Sequence, residues 1–151
     1  MNEFMEEAIK EATKALKKQE VPIGAVIVKN GKIISKGHNV REKRKNALMH
    51  AEIIAINKAC KKIKDWRLED CSLYVTLEPC PMCAGAIANA RIEKVFFGAK
   101  DKTSQDDLCS KILTSNRLNH KCEFEQLIDY DQTCSRILTK FFKDKREKKC
   151  R

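Results

Sequence analysis

Leu73-Tyr74-Val75-Thr76-Leu77-Glu78-Pro79-Cys80-Pro81-Met82-Cys83-Ala84-Gly85-Ala86 reads as a strand, a sharp turn and the opening of a helix. Leu73 to Leu77 is a short apolar run of the kind buried inside a sheet. Two prolines end it, and a proline suits a helix start because it has no N–H to leave unsatisfied. From Cys80 to Ala90 the residues are small and the period is helical. Cys80 and Cys83 stand three apart, so at a helix start they lie on the same side. Free backbone N–H groups and the positive helix end lower thiol pKa values and favour thiolates there.

A second helix start answers the first. His50 to Ile63 repeats apolar residues at helical spacing (Ile53, Ile54, Ile56, Ala59), with His50-Ala51-Glu52 at its head. Two helix starts that follow neighbouring strands can face each other across one end of a sheet. His50, Cys80 and Cys83 then close on a zinc ion, two thiolates balancing its charge beside a neutral imidazole. An open fourth position carries water, whose pKa the metal brings down to roughly 7 in hydrolytic sites. A structural zinc would fill that position with another protein ligand. No second Cys-x-x-Cys pair exists, and His38 and His120 lack ligand spacing. Glu52 lies two residues past the histidine and is the carboxylate left over to carry protons, from water to a ring nitrogen and a leaving amine. Singly, these residues read as a buried or surface histidine, a redox pair or core thiols, and an exposed helix acid. Jointly they predict hydrolytic deamination at a catalytic zinc.

Working outward, Phe4 to Lys18 places Phe4, Ala8, Ala12, Ala15 and Leu16 on one helical face. Pro22 to Val28 is an apolar strand, Asn30-Gly31 is a type I′ hairpin signal, and Lys32 to Ser35 returns antiparallel. A basic, polar loop runs from His38 to Asn46. Val95 to Phe97 is a short strand closed by Gly98, Asp107 to Leu113 a helix, and Cys122 to Ile128 an alternating strand. Tyr130 to Lys148 is a long amphipathic helix with Ile137, Leu138, Phe141 and Phe142 inward. Helices alternating with strands after a hairpin predict an α/β fold: a three-layer α/β/α sandwich on a five-stranded mixed sheet. The 151 residues predict one domain, 1–151, ending in a basic helix at about 130–148.

No apolar run approaches bilayer length, and the first residues lack the basic start and apolar core of a signal peptide. A cytoplasmic protein with no membrane partner is expected. A reducing cytosol keeps thiols free, so Cys60, Cys71, Cys109, Cys122, Cys134 and Cys150 read as small core or surface residues. Lys plus Arg number 31 against 21 Asp plus Glu, a formal charge of +10 that suits a polyanionic partner.

These residues resemble the cytidine deaminase-like superfamily and, within it, the bacterial tRNA-specific adenosine deaminases. Val21-Pro22-Ile23-Gly24-Ala25 is similar to that family's first-strand motif, and the His50 and Cys80 runs to its two zinc blocks. Arg91-Ile92, Val95-Phe96-Phe97-Gly98-Ala99-Lys100-Asp101, Asn119-His120 and Phe141-Phe142-Lys143 extend the likeness over nearly the whole chain. The resemblance implies conversion of adenosine to inosine at the wobble position, 34, of an arginine tRNA, by a homodimer with one Zn²⁺ per subunit. It makes His50, Cys80 and Cys83 ligands and Glu52 the proton shuttle. Asn39 matches a residue that holds the flipped nucleotide, Ile23 and Leu77 match pocket walls, and Asp101 matches a substrate-loop position near the ribose. Two basic groups fall where an anticodon loop would need them. Arg41, Lys43, Arg44 and Lys45 crowd the loop beside His50. Lys143, Lys145 and Arg146, with Lys148, Lys149 and Arg151, crowd the last helix. The family has a glycine- and serine-containing stretch after the position of Asp101, whereas Thr103 to Cys109 has no glycine. Leu48-Met49 and Ala90 also depart from its pattern. The rival readings are a deaminase of free bases or nucleotides (guanine, cytosine or dCMP) and a non-catalytic RNA-binding partner of a deaminase dimer.

Overall fold

Helix α1 (Glu3–Lys17) opens on Asn2, whose side chain accepts from the Phe4 and Met5 amides and so caps the first turn. The computed structural model describes residues 1–103, 107–115, 117–118 and 120–149, with only the backbone of 149. Strand β1 (Gly24–Lys29) turns back into β2 (Lys32–His38) through Asn30 and Gly31, at φ 52° and 73°. Both lie in the left-handed region, as a two-residue type I′ hairpin requires. There follow α2 (Arg41–Arg44), α3 (Ala51–Ile63), β3 (Cys71–Leu77), α4 (Pro81–Asn89), β4 (Lys94–Ala99), α5 (Leu108–Leu113) and β5 (Glu123–Gln126). A 3₁₀ turn (Ile128–Tyr130) leads into α6 (Asp131–Lys149).

The five strands form one sheet in the order β2-β1-β3-β4-β5. β1 is antiparallel to β2 and β3, while β3, β4 and β5 run parallel. Side chains alternate between the faces, as the pleat demands. Val26, Val28 and Tyr74 pack with Met5 and Ala8 of α1. Ala25, Ile27, Leu73, Val75 and Val95 pack on the opposite face with Ala55, Ile87 and Leu113 of α3, α4 and α5. With α6 lying on β4 beside α1, the three layers and mixed sheet are those the sequence predicts. Among the described residues no helix is long and apolar enough to cross a membrane.

Local differences have packing causes. The basic loop contains a one-turn helix, α2. Strand β4 continues through Gly98, and Cys134 of α6 lies directly on it: a Cβ there would sit 2.6 Å from the Cys134 sulfur. Cys134, 1% exposed, is therefore the deepest side chain of α6, while Phe142 is 43% exposed beside the residues that follow β4. Leu16 is likewise exposed and lines a groove with Phe141. Trp66 is 53% exposed, with the Arg67 guanidinium 4.5 Å above its ring. The fifth strand is shorter than the alternating run suggests, covering Glu123–Gln126 alone.

The register decides where the loops go. Gly24 pairs with His38, Ala25 with Val75 and Leu77 with Ala99. The start of β1 and the ends of β2, β3 and β4 therefore share one edge of the sandwich. Helix α3 is pulled onto β2 at that edge, since a Cβ on Gly37 would sit 2.6 Å from the Ala51 carbonyl oxygen and 2.8 Å from the Ala55 nitrogen. Only glycine permits that approach. A Gly37→Val variant is expected to lose about 1–3 kcal/mol of stability through overpacking, measured by urea denaturation.

Candidate metal centre and proton carrier

Both helices that meet at this edge begin on a residue that does not cap. His50 is the N-cap of α3 and Cys80 the N-cap of α4, with Pro81 at the first helical position. Their carbonyls accept the first intrahelical bonds, from Ile54 at 3.1 Å and Ala84 at 2.8 Å. Their side chains make no capping bond, where serine, threonine or asparagine would normally turn inward to one. They point across the gap between the two helix tips instead. His50 Nδ1 lies 3.6 Å from Cys80 Sγ and 3.6 Å from Cys83 Sγ. One ligand atom from each of the three falls within 4.8 Å of the others, the only such group among the described residues.

The donor set fits zinc. Bonds of about 2.3 Å to sulfur and 2.0–2.1 Å to nitrogen, at tetrahedral angles, separate a nitrogen from a sulfur by about 3.5 Å, close to the observed spacing. Cys83 is buried while His50 and Cys80 are half-buried, so the cluster opens on their side. The three groups do not lean the same way: Cys80 is held towards the thiolate that a metal requires, while Cys83 and His50 are held towards their protonated forms. The neighbouring Cys83 thiol, then His50, hold Cys80 at about 4 against the effect of burial. The same bond, with burial, pushes Cys83 up. The Cys80 sulfur beside it raises His50.

Glu52, in the first turn of α3, is 4% exposed. Burial pushes its carboxyl up to about 7, where a group gives and takes protons with equal ease at neutral pH. It lies within hydrogen-bonding reach of the Cys83 thiol, yet it is no member of the three-residue cluster.

The other predicted residues occupy the same edge. Asn39, 5% exposed, donates its backbone N–H to the Ile23 carbonyl at 3.2 Å. The pairing of Ala25 with Val75 carries Ile23 to the level of Leu77, and both are half-buried. Asp101 follows β4. Its Oδ1 accepts from the Thr103 amide at 3.0 Å and hydroxyl at 2.7 Å. A residue that sequence reasoning missed holds it there: the buried Glu78 accepts the Asp101 amide at 3.0 Å and donates its own amide to the Ala99 carbonyl at 2.8 Å. Its signal was a carboxylate inside an apolar turn.

Arg41, Lys43, Arg44 and Lys45 are all exposed, and the Arg41 charge reaches His50, acting to lower its pKa. Lys143, Lys145 and Arg146 are exposed on α6. Lys145 and Lys148 line a groove with Leu16 and Gln19 at the end of α1, close in sequence to Ile23. The remaining histidines are tied up elsewhere: His38 to Glu11 at 3.1 Å, His120 to the Ile92 carbonyl at 2.7 Å. Cys60, Cys71, Cys109, Cys122 and Cys134 are free, and all but the half-buried Cys60 are buried. The Ser104–Asp106 part of the glycine-free stretch, Asn119, the Lys149 side chain, Cys150 and Arg151 lie outside the described residues.

The MafB19-like deaminase family model matches residues 1–146. A tRNA-specific adenosine deaminase of Bacillus subtilis is 49% identical, covering 97% of this chain and 91% of that protein. A solved structure described as "Biochemical and Structural Studies of A-to-I Editing by tRNA:A34 Deaminases at the Wobble Position of Transfer RNA" superposes with a TM-score of 0.76 at 38% identity, over 82% of this chain and 96% of that one. A guanine deaminase from Bacillus subtilis is 43% identical over 66% of each chain, with a TM-score of 0.63.

Zinc titrated into chelator-treated protein should saturate at one ion per chain. Cys80→Ser or Cys83→Ser should weaken that binding at least tenfold, about 1.4 kcal/mol, as read by competition with a chromophoric chelator.

Proposed function

The chain belongs to the MafB19-like deaminase family and, by identity over nearly its full length, to the tRNA-specific adenosine deaminases, and from that membership we propose that it converts adenosine to inosine at the wobble position, 34, of a tRNA, with an arginine tRNA as its substrate. Two observations support the reading. For the chemistry, Nδ1 and two Sγ atoms meet beside a buried carboxylate. For the substrate, a tRNA-specific adenosine deaminase is 49% identical over 97% of the chain.

His50, Cys80 and Cys83 would hold one Zn²⁺, which supplies Lewis acidity that makes water a nucleophile at neutral pH. The reaction forms a C6–O bond, breaks the C6–N bond and releases ammonia. Glu52 carries the protons: it takes one from the attacking water, gives one to the purine N1, and serves the departing amine in turn. A carboxyl raised to about 7 by burial suits both directions of that traffic. Ile23 and Leu77 wall the base pocket, and Asn39 and Asp101 hold the nucleotide. Glu78 keeps the Asp101 backbone in place.

A base stacked in an anticodon loop cannot reach this pocket and must be turned out of the stack, at less cost in a loop than in a duplex. The basic turn at Arg41–Lys45 and the Lys143, Lys145 and Arg146 face of α6 contact phosphates and hold the loop while that happens. Neither reads the base. The chain acts in the cytoplasm as a homodimer.

Deamination of free guanine is the second reading, favoured by the similarity to a guanine deaminase. Incubation with tRNA and, separately, with free guanine and adenosine, followed by nucleoside mass spectrometry, distinguishes the two. Inosine in the anticodon is expected, and turnover of free guanine alone would overturn the proposal. Glu52→Gln should keep its zinc and fold while losing roughly 10²–10⁴ in kcat; loss of metal instead would remove the proton role assigned to Glu52. Replacing Lys143, Lys145 and Arg146 by alanine should flatten the salt dependence of tRNA binding, by about 0.7 in log–log slope for each phosphate no longer neutralised. Filter binding at several salt concentrations measures it.

A further inference from the structure

Glu20 is 1% exposed, and the described residues offer no cation within ion-pairing distance of it. Both carboxylate oxygens go to backbone instead. Oε1 accepts from the Glu42 amide at 3.0 Å and Oε2 from the Lys43 amide at 2.8 Å. These are the second and third amides of α2, the pair that an N-cap side chain ordinarily satisfies. The N-cap of α2 is Val40, which has no polar side chain and makes no such bond. Asn39 Oδ1 accepts the first amide, from Arg41, at 3.2 Å. Every free N–H at the head of α2 up to Lys43 is therefore held from outside the helix.

A four-residue helix cannot sustain itself, because its nucleation cost is met by almost no internal bonds. The geometry of α2 therefore depends on what grips its head, and two of the three bonds come from Glu20. A negative carboxylate there also favours the positive helix end. Glu20 binds backbone and no side chain; among the described residues Lys43, Arg44 and Lys45 form no ion pair, and Arg41 has only a 3.9 Å contact with Glu42.

We propose that Glu20 is a positioning residue that holds the basic turn, Arg41 to Lys45, in place to bind tRNA. The proposal rests on the reading that this turn contacts phosphates. Asn39 keeps its own backbone bond to Ile23, so the loss of Glu20 should act on substrate binding before it acts on turnover.

Glu20→Gln tests it. The side chain keeps its shape but sets an NH₂ group against a backbone N–H. Zinc content should hold at one ion per chain. The KM for tRNA should rise about tenfold, the scale of a lost charged hydrogen bond, with kcat within about twofold. The joint variant Arg41→Ala, Lys43→Ala, Arg44→Ala and Lys45→Ala should raise KM at least as far, and adding Glu20→Gln to it should raise KM no further. If the joint variant leaves KM unchanged, the turn does not bind tRNA and the underlying reading falls. If the joint variant raises KM and Glu20→Gln does not, the positioning role is overturned while that reading stands. Amide hydrogen exchange gives a test independent of any variant's folding. The Glu42 and Lys43 amides should exchange slowly in the unaltered protein; exchange as fast as in an unstructured peptide overturns the proposal.

Discussion

The site depends on two helix N-termini being brought tip to tip at one edge of a sheet. Helix α3 arrives from the hairpin side and α4 from the parallel side, so their first turns converge where β2 and β3 end. At each tip the capping position holds a metal-type donor, His50 or Cys80, whose side chain looks across the gap. Two positive helix ends facing one another would repel. Thiolate charge between them relieves that, and it is also what a divalent cation requires. The Cys83 thiol, His50 and the Cys83 backbone N–H at the head of α4 hold the pKa of Cys80 low.

The loops around that edge are held by buried carboxylates acting on backbone amides. Glu78 grips the Asp101 amide, and Glu20 grips those of Glu42 and Lys43. A buried carboxylate without hydrogen bonds would cost several kcal/mol; Glu20 has both oxygens, and Glu78 its Oε1, on amides that the loops would otherwise leave to water. The device orders a loop through its backbone and leaves its side chains free. Around a site that must meet a large polyanion, exposed cations on an ordered backbone are an advantage, since a side chain already paired within the protein would have to break that pair first.

Glu52 differs from both. It too is buried, but it grips no loop; burial, with the Cys80 charge, raises its pKa to about 7 despite a backbone hydrogen bond that acts to lower it. Glu20 and Glu78 bind the amides of loops, and Glu52 stands beside Cys83 at the metal cluster.

The sequence by itself determined the layers, the order of the five strands and the longer helices along the chain, and the cluster of His50, Cys80 and Cys83 with Glu52 beside it. Periodicity, turn chemistry and ligand spacing are local properties, and each survives in a linear string. It also placed the basic residues of the loop and tail. Only the tertiary structure decided which buried acids hold which loops: Glu20 and Lys43 are 23 residues apart, as are Glu78 and Asp101, and nothing in their spacing links them. It decided, too, that Gly98 lies inside a strand, that Cys134 outranks Phe142 as the core residue of α6, and that Trp66 faces solvent. Such outcomes follow from how closely two elements approach, and that distance is set by the sum of all the packing between them, which no short stretch of chain encodes.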